Sequence, residues 1–331
     1  GEKSKKLKEF FKSGNFKQVY LLYGEEAYLK QQYKQNLVKA LNPDGDTMNF
    51  NHYEGKGIDV KQLIDLCETM PFFAERRVVL LEDTGFFKNK CEELADYMKE
   101  LPDYLYLVFA ETEVDKRNRM YKAVKACGSI AEFIRQDEKT LMRWAAGILG
   151  KAGKKITQRD MELLLTKTGT DMGNLRMEME KLISYTEGRD VVTAEDIEEI
   201  CTTQTTNRIF DMVRAVTEKN QKRALELYYD LLTLKEPPMR ILFLLAKQYR
   251  QLLLAKQFAA AGLAQTEIAS KLGVPGFVVR NITTCARAYT ISELEQAVKD
   301  FVDAEESVKT GRLEDKLSVE LLIIKYSSKV K

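Results

Sequence analysis

Histidine is almost missing, with His52 the only one in 331 residues. Ser-His-Asp triads, Cys-His dyads and multi-His metal sites therefore shrink to a single position. Proline (6) and glycine (18) are scarce as well, which predicts long helices and few irregular loops. The five cysteines, Cys67, Cys91, Cys127, Cys201 and Cys285, are scattered and never form a CxxC pair. They are expected as reduced thiols, not as a disulfide frame or a zinc site. No apolar run approaches the roughly 18 residues of a membrane span; the run from Ile241 to Ala246 ends at Lys247. The opening Gly-Glu-Lys-Ser-Lys-Lys has no apolar signal-peptide core, so the expectation is a cytoplasmic protein with no membrane partner. Neither sign of charge dominates: 52 Lys plus Arg face 50 Asp plus Glu, a net charge of +2. That excludes a uniformly basic nucleic-acid coat and leaves a local basic surface open.

What is present is enough for two or three domains. Up to about residue 137, short apolar runs alternate with helical patterns. Val19–Tyr23, Val78–Leu81 and Leu105–Phe109 are the clearest runs, with weaker ones near Phe50–Tyr53 and Ile130–Ile134. Asp59 with Gln62 has the spacing of a helix N-cap, and Val60, Leu63, Ile64, Cys67 and Met70 then repeat on one face. Strands separated by helices predict a mainly parallel sheet of about five strands, covered on both sides. From 138 to 205 the strand signals fade. Thr157 with Asp160, and Thr193 with Asp196, have capping spacing, and Gly150, Gly153, Gly169 and Gly188 punctuate a small helical domain. Residues 206–331 read as helical throughout, broken at Pro237 and Pro238, with apolar stripes too wide for free surface helices. The fold class expected is α/β plus all-α.

The first strand runs into Gly24-Glu25-Glu26-Ala27-Tyr28-Leu29-Lys30-Gln31. A phosphate-binding loop has this placement and the pattern G-x-x-x-x-G-K-[ST]. Gly24 and Lys30 match. Leu29 replaces the second glycine, whose absent side chain lets backbone amides approach phosphate, and Gln31 replaces the hydroxyl that holds Mg²⁺. Glu25 and Glu26 add negative charge beside any polyphosphate. Glu82 and Asp83 end the third strand where metal-binding acids of a nucleotide site would stand. Gly173-Asn174-Leu175-Arg176 opens a helix as a sensor arginine motif does, though Arg176 reads equally as a solvated helix residue.

Met70-Pro71-Phe72-Phe73-Ala74-Glu75-Arg76-Arg77 carries the most information. Pro71 disfavours helical backbone at Met70, so the preceding helix should stop there. Two adjacent phenylalanines then sit on a short connection. Either they staple helix to sheet, or they project and need a partner to bury them. Residues 264–288 suggest a helix, a glycine turn and a second helix with Arg280, Asn281 and Arg287, the outline of a helix-turn-helix DNA reader. Phe277, Val278, Val279 and Ile282 make that second helix largely apolar, as in a bundle.

In this order the pieces resemble the delta-subunit family of the bacterial DNA polymerase III clamp loader, over essentially the whole chain. Met70-Pro71-Phe72-Phe73 followed by Arg76-Arg77-Val78-Val79-Leu80-Leu81-Glu82-Asp83 is the most specific mark. Val19–Gly24 and Leu105–Phe109 support it. The resemblance implies an AAA+-like α/β domain with a degenerate phosphate loop (1–137), a helical lid (138–205) and a helical collar (206–331). It implies a subunit of the DNA-directed DNA polymerase holoenzyme that has no catalytic site, cofactor or metal of its own and retains Gly24 and Lys30 as remnants. An apolar wedge of Met70, Pro71, Phe72 and Phe73 would bind the beta sliding clamp and open it for loading onto primed DNA. The collar would join gamma/tau and delta-prime subunits in a ring, and no Ser-Arg-Cys arginine-finger motif is recognisable in the sequence. An active AAA+ NTPase and a helix-turn-helix regulator are the two competing readings.

Overall fold

The computed structural model describes residues 15–203 and 205–328. Two compact units divide the chain, one ending at Gln136 and the other beginning at Asp137.

The first unit is built on five strands: β1 (Val19–Tyr23), β2 (Phe50–Glu54), β3 (Arg77–Glu82), β4 (Leu105–Glu111) and β5 (Ser129–Glu132). They form one sheet in the order β2-β3-β4-β1-β5, every neighbouring pair parallel. Helices α1 (Ala27–Leu41), α2 (Val60–Glu68), α3 (Glu92–Tyr97) and α4 (Arg119–Cys127) make the crossovers. Successive strand residues face opposite sides, and the apolar runs supply both. Val19, Leu21, Val79, Leu81, Leu107 and Phe109 pack on one side with Leu63, Leu94, Met120 and Val124 from α2, α3 and α4. Tyr20, Leu22, Val78, Leu80 and Val108 pack on the other with Leu37 and Leu41 from α1. Because all strands run the same way, their starts share one edge of the sheet and their ends share the opposite edge.

The second unit begins with α5 (Glu138–Lys151), α6 (Gln158–Thr168), α7 (Met172–Tyr185) and α8 (Ala194–Ile200). Gly150 does not punctuate this stretch: it lies inside α5, and the chain turns only at Gly153, where φ is +74°. A two-stranded parallel ladder, β6 (Lys155–Ile156) with β7 (Val191–Val192), is an addition to the helices expected here. Two residues per strand are too few to give a periodic signal. The caps at Asp59, Thr157 and Thr193 form as their spacing predicts, and Asp196 returns the bond at Thr193 to complete a capping box.

Seven further helices follow: α9 (Thr205–Thr217), α10 (Gln221–Thr233), α11 (Pro238–Ala260), α12 (Gln265–Leu272), α13 (Gly276–Ala286), α14 (Ile291–Lys309) and α15 (Asp315–Ser327). Their core includes Tyr228, Leu245, Leu252, Ile282, Leu294, Phe301 and Val319. Phe277 of α13 is buried instead in the cluster of α5–α8 with Leu149, Leu164, Leu175 and Met179. The second unit therefore has two apolar clusters that share α13.

Candidate functional site

The ends of the strands hold the loop that resembles a phosphate cradle. Gly24 sits at φ +121°, and a Cβ there would lie 2.3 Å from the Phe133 carbonyl oxygen. The glycine is required because the loop is pressed onto the end of β5, where the Glu26 N–H donates to that same carbonyl at 3.0 Å. Lys30 does not point into an open cradle: its Nζ donates to the Glu111 carbonyl at the end of β4 at 3.0 Å. Glu82 accepts from Lys34 Nζ at 2.5 Å and lies 3.0 Å from His52 Nε2. Asp83 accepts from the Thr112 N–H at 2.8 Å. Glu111, at the end of β4, is buried and accepts from Thr84 Oγ1 and N–H and from the Gly85 N–H. Burial pushes its carboxyl up, against the pull of those donors. With Leu29 and Gln31 in the positions of the second glycine and the hydroxyl, these groups do not fit a Mg²⁺-nucleotide. Among the described residues no cluster of His, Cys, Asp or Glu is placed to hold a metal ion. All five cysteines are free.

Arg176, in the first turns of α7, pairs with Glu180 one turn on, at 2.7 Å. In α13 the residues Phe277, Val279 and Ile282 are buried, and Arg280 approaches Glu162 at 3.4 Å. Its apolar face is thus committed to packing, as in a bundle.

The opposite edge, where the strands start, carries the aromatic corner. Helix α2 ends at Glu68, its Thr69 cap already extended, before Pro71 is reached. The segment then leaves the domain surface. Met70 is 75% exposed, Phe72 56% and Phe73 95%. The two rings meet edge to face with centroids 4.5 Å apart, and with Phe73 almost wholly in solvent neither staples helix to sheet. Phe73 has φ +49°, a left-handed conformation uncommon outside glycine. That turn puts its ring outward.

Two buried polar side chains hold this corner, and sequence reasoning missed one of them and took the other only as the strand's first residue. Asn49, just before β2, accepts from the Phe72 N–H at 2.7 Å and donates to the Phe72 carbonyl at 2.9 Å. Its amide also donates to Asp46 at 2.5 Å, and this bond, with one from the Met48 N–H, holds the Asp46 carboxyl below its usual range. Arg77, the first residue of β3, donates from Nε to the Thr69 carbonyl at 2.9 Å and from a terminal nitrogen to the Met70 carbonyl at 3.3 Å. The available signal was a polar residue at the start of each of two neighbouring strands, the half-exposed β2 and the buried β3.

Comparisons with known proteins bear on the family of the chain. Residues 20–133 match the family model described as DNA polymerase III, delta subunit, and residues 206–326 match that of its C-terminal domain. The DNA polymerase III subunit delta of Bacillus subtilis is 26% identical over 326 residues, 95% of this chain and 94% of that protein. A probable DNA polymerase III subunit delta of Aquifex aeolicus is 22% identical over 281 residues, 81% and 79% of the two chains. Among solved structures, the Bacillus subtilis DNA clamp loader delta protein has the same fold, with TM-score 0.66 and 24% identity over 98% of this chain and 99% of that one. Two models of one family are matched in order along a chain that aligns with its relatives almost end to end, and the chain belongs to the DNA polymerase III delta subunit family.

Proposed function

We propose that this chain is the clamp-opening subunit of a clamp loader, acting without catalysis of its own. One observation carries the reading: Met70, Phe72 and Phe73 project from a corner whose backbone is fixed by buried partners. A mobile apolar loop would collapse onto its own surface, whereas a rigid one keeps its apolar area for a partner and loses little entropy on binding. Buried aromatic anchors of this kind dominate interfaces. The partner is the beta sliding clamp, and the wedge favours a distorted clamp, shifting the closed–open equilibrium toward open so that the ring can pass onto primed DNA.

In this reading residues 138–205 act as the lid and 206–331 as the collar that joins gamma/tau and delta-prime subunits. Exposed Leu317, Leu321 and Ile324, spaced along α15, supply apolar surface for such neighbours. The bonds of Lys30, Glu82 and Asp83 within the domain support a subunit that takes its ATP dependence from those neighbours. Pull-down of the chain with its cognate clamp, with and without Phe72→Ala plus Phe73→Ala, tests the proposal. Retention of the clamp by the double variant would place the contact elsewhere.

A further inference from the structure

We infer that Asn49 and Arg77 are positioning residues that hold the wedge in its binding conformation before any partner arrives. The inference rests on the wedge reading above and adds what sets the wedge's geometry. Asn49 is 3% exposed and uses both ends of its amide on one residue, Phe72. Its own carbonyl accepts from the Val78 N–H at 2.9 Å, so Phe72 is tied through one side chain to the start of β3. Asp46 extends the chain of bonds. It takes the Asn49 amide on one carboxylate oxygen and the Met48 N–H on the other, while its backbone is held by Asn42 at the end of α1. Arg77, also buried, reaches the carbonyls of Thr69 and Met70 and the Asn51 side chain with three different nitrogens. Residues on both sides of Pro71 are therefore fixed, and the left-handed turn at Phe73 follows directly from the fixed Phe72.

A binding-competent state that is only partly populated weakens apparent affinity by that fraction. Removing Asn49 frees the Phe72 N–H and carbonyl and lets the corner sample other conformations. The expected effect of Asn49→Ala is a roughly tenfold weaker clamp affinity, the scale of losing a buried two-point hydrogen bond. Arg77→Lys keeps the charge, loses the fork and is expected to act in the same direction.

The test uses the full chain and three readouts: clamp affinity, melting temperature, and amide hydrogen exchange at Phe72. Asn49→Ala should weaken clamp binding and speed exchange at Phe72 together. Val124→Ala, a core truncation on α4 away from the corner, should lower the melting temperature while leaving both other readouts near wild type. Asn49→Asp keeps an acceptor for the Phe72 N–H but sets a second oxygen against the Phe72 carbonyl, so it should weaken clamp binding and speed Phe72 exchange in the same direction as Asn49→Ala. The inference is overturned if Asn49→Ala leaves Phe72 exchange and clamp affinity unchanged, or if Val124→Ala weakens clamp binding as much. A wild-type chain that does not bind the clamp would refute the wedge reading instead, and Phe72 exchange would still decide whether Asn49 holds the corner.

Discussion

The Lys30 ammonium donates to the Glu111 backbone carbonyl across 3.0 Å, joining the helix after β1 to the end of β4. A lysine at this point in a working phosphate loop would reach toward the nucleotide's β- and γ-phosphates. Here it is a structural tie. Lys30→Ala should cost about 1–2 kcal/mol of stability, and titration calorimetry with Mg²⁺-ATP should record no binding for either protein. Micromolar, Mg²⁺-dependent binding that disappears in the variant would contradict this assignment.

Phe72→Ala with Phe73→Ala should abolish clamp binding and opening while moving the melting temperature little. Losing a fully buried phenylalanine costs a fold about 3–5 kcal/mol, but Phe73 is almost wholly exposed and Phe72 more than half so. An interface hot spot of this type is worth about 2–4 kcal/mol, or roughly 30- to 1,000-fold in affinity. Melting and clamp affinity measured on one preparation separate the two. A large loss of stability would mean that the rings support the fold.

The three central strands were legible because a strand buried on both faces must be apolar along its length, as Val19–Tyr23 is, whereas the half-exposed edge strands at Phe50–Glu54 and Ser129–Glu132 gave only weak runs. The caps were legible because Asp59, Thr157 and Thr193 act within three residues of themselves. At Phe72 and Phe73 the sequence showed a conflict between composition and place but left stapling and projection both open; their exposure is the structure's finding. Asn49 was not legible, because its hydrogen bonds to Phe72 span 23 residues of chain, and periodicity reports only local neighbours. Phe277 was hidden for a related reason. It continues the apolar face of α13, and nothing local tells that it packs with α5–α8 and not with the rest of its helix.

Acid should loosen the last helix first at Asp300. Burial works against ionisation of this carboxyl but is outweighed by hydrogen bonds from Lys325, Tyr326 and Gln296, which hold it below the usual 3.8. A carboxyl lowered in the folded state contributes stability that is complete above the unfolded value. That stability is lost as pH falls through the folded one. Asp300→Asn should therefore destabilise the second unit by about 1 kcal/mol at neutral pH, allowing for solvent screening. The gap should narrow as pH falls below the usual 3.8. A difference that stays constant from pH 7 to 3 would show that the charge is irrelevant there.

Where the chain is cut should matter more than how much is removed. A fragment ending at residue 205 loses Phe277 from the cluster of α5–α8 and leaves Leu149, Leu164 and Met179 without that cover. A fragment ending at Gln136 stops at the boundary between the compact units and cuts neither. The shorter fragment should be monodisperse and bind the clamp, and the longer one should aggregate; neither should assemble with the other loader subunits. Light scattering and clamp pull-down on the two fragments check this. Normal assembly by either would remove the collar assignment.

The parallel sheet puts Gly24 and the aromatic corner at opposite ends of the same strands. Arg77 and Glu82 lie at the two ends of the six-residue β3, about 16 Å apart at 3.3 Å per residue. Helix α1, with 15 residues, runs alongside for about 22 Å. A body this stiff works as a lever. Tilting it by 10° about its Gly24 end sweeps the Phe73 end through about 3 Å, more than enough to break van der Waals contact. On the proposed reading, small swings of the whole unit are then enough to seat or withdraw the rings, with no rearrangement of the corner itself.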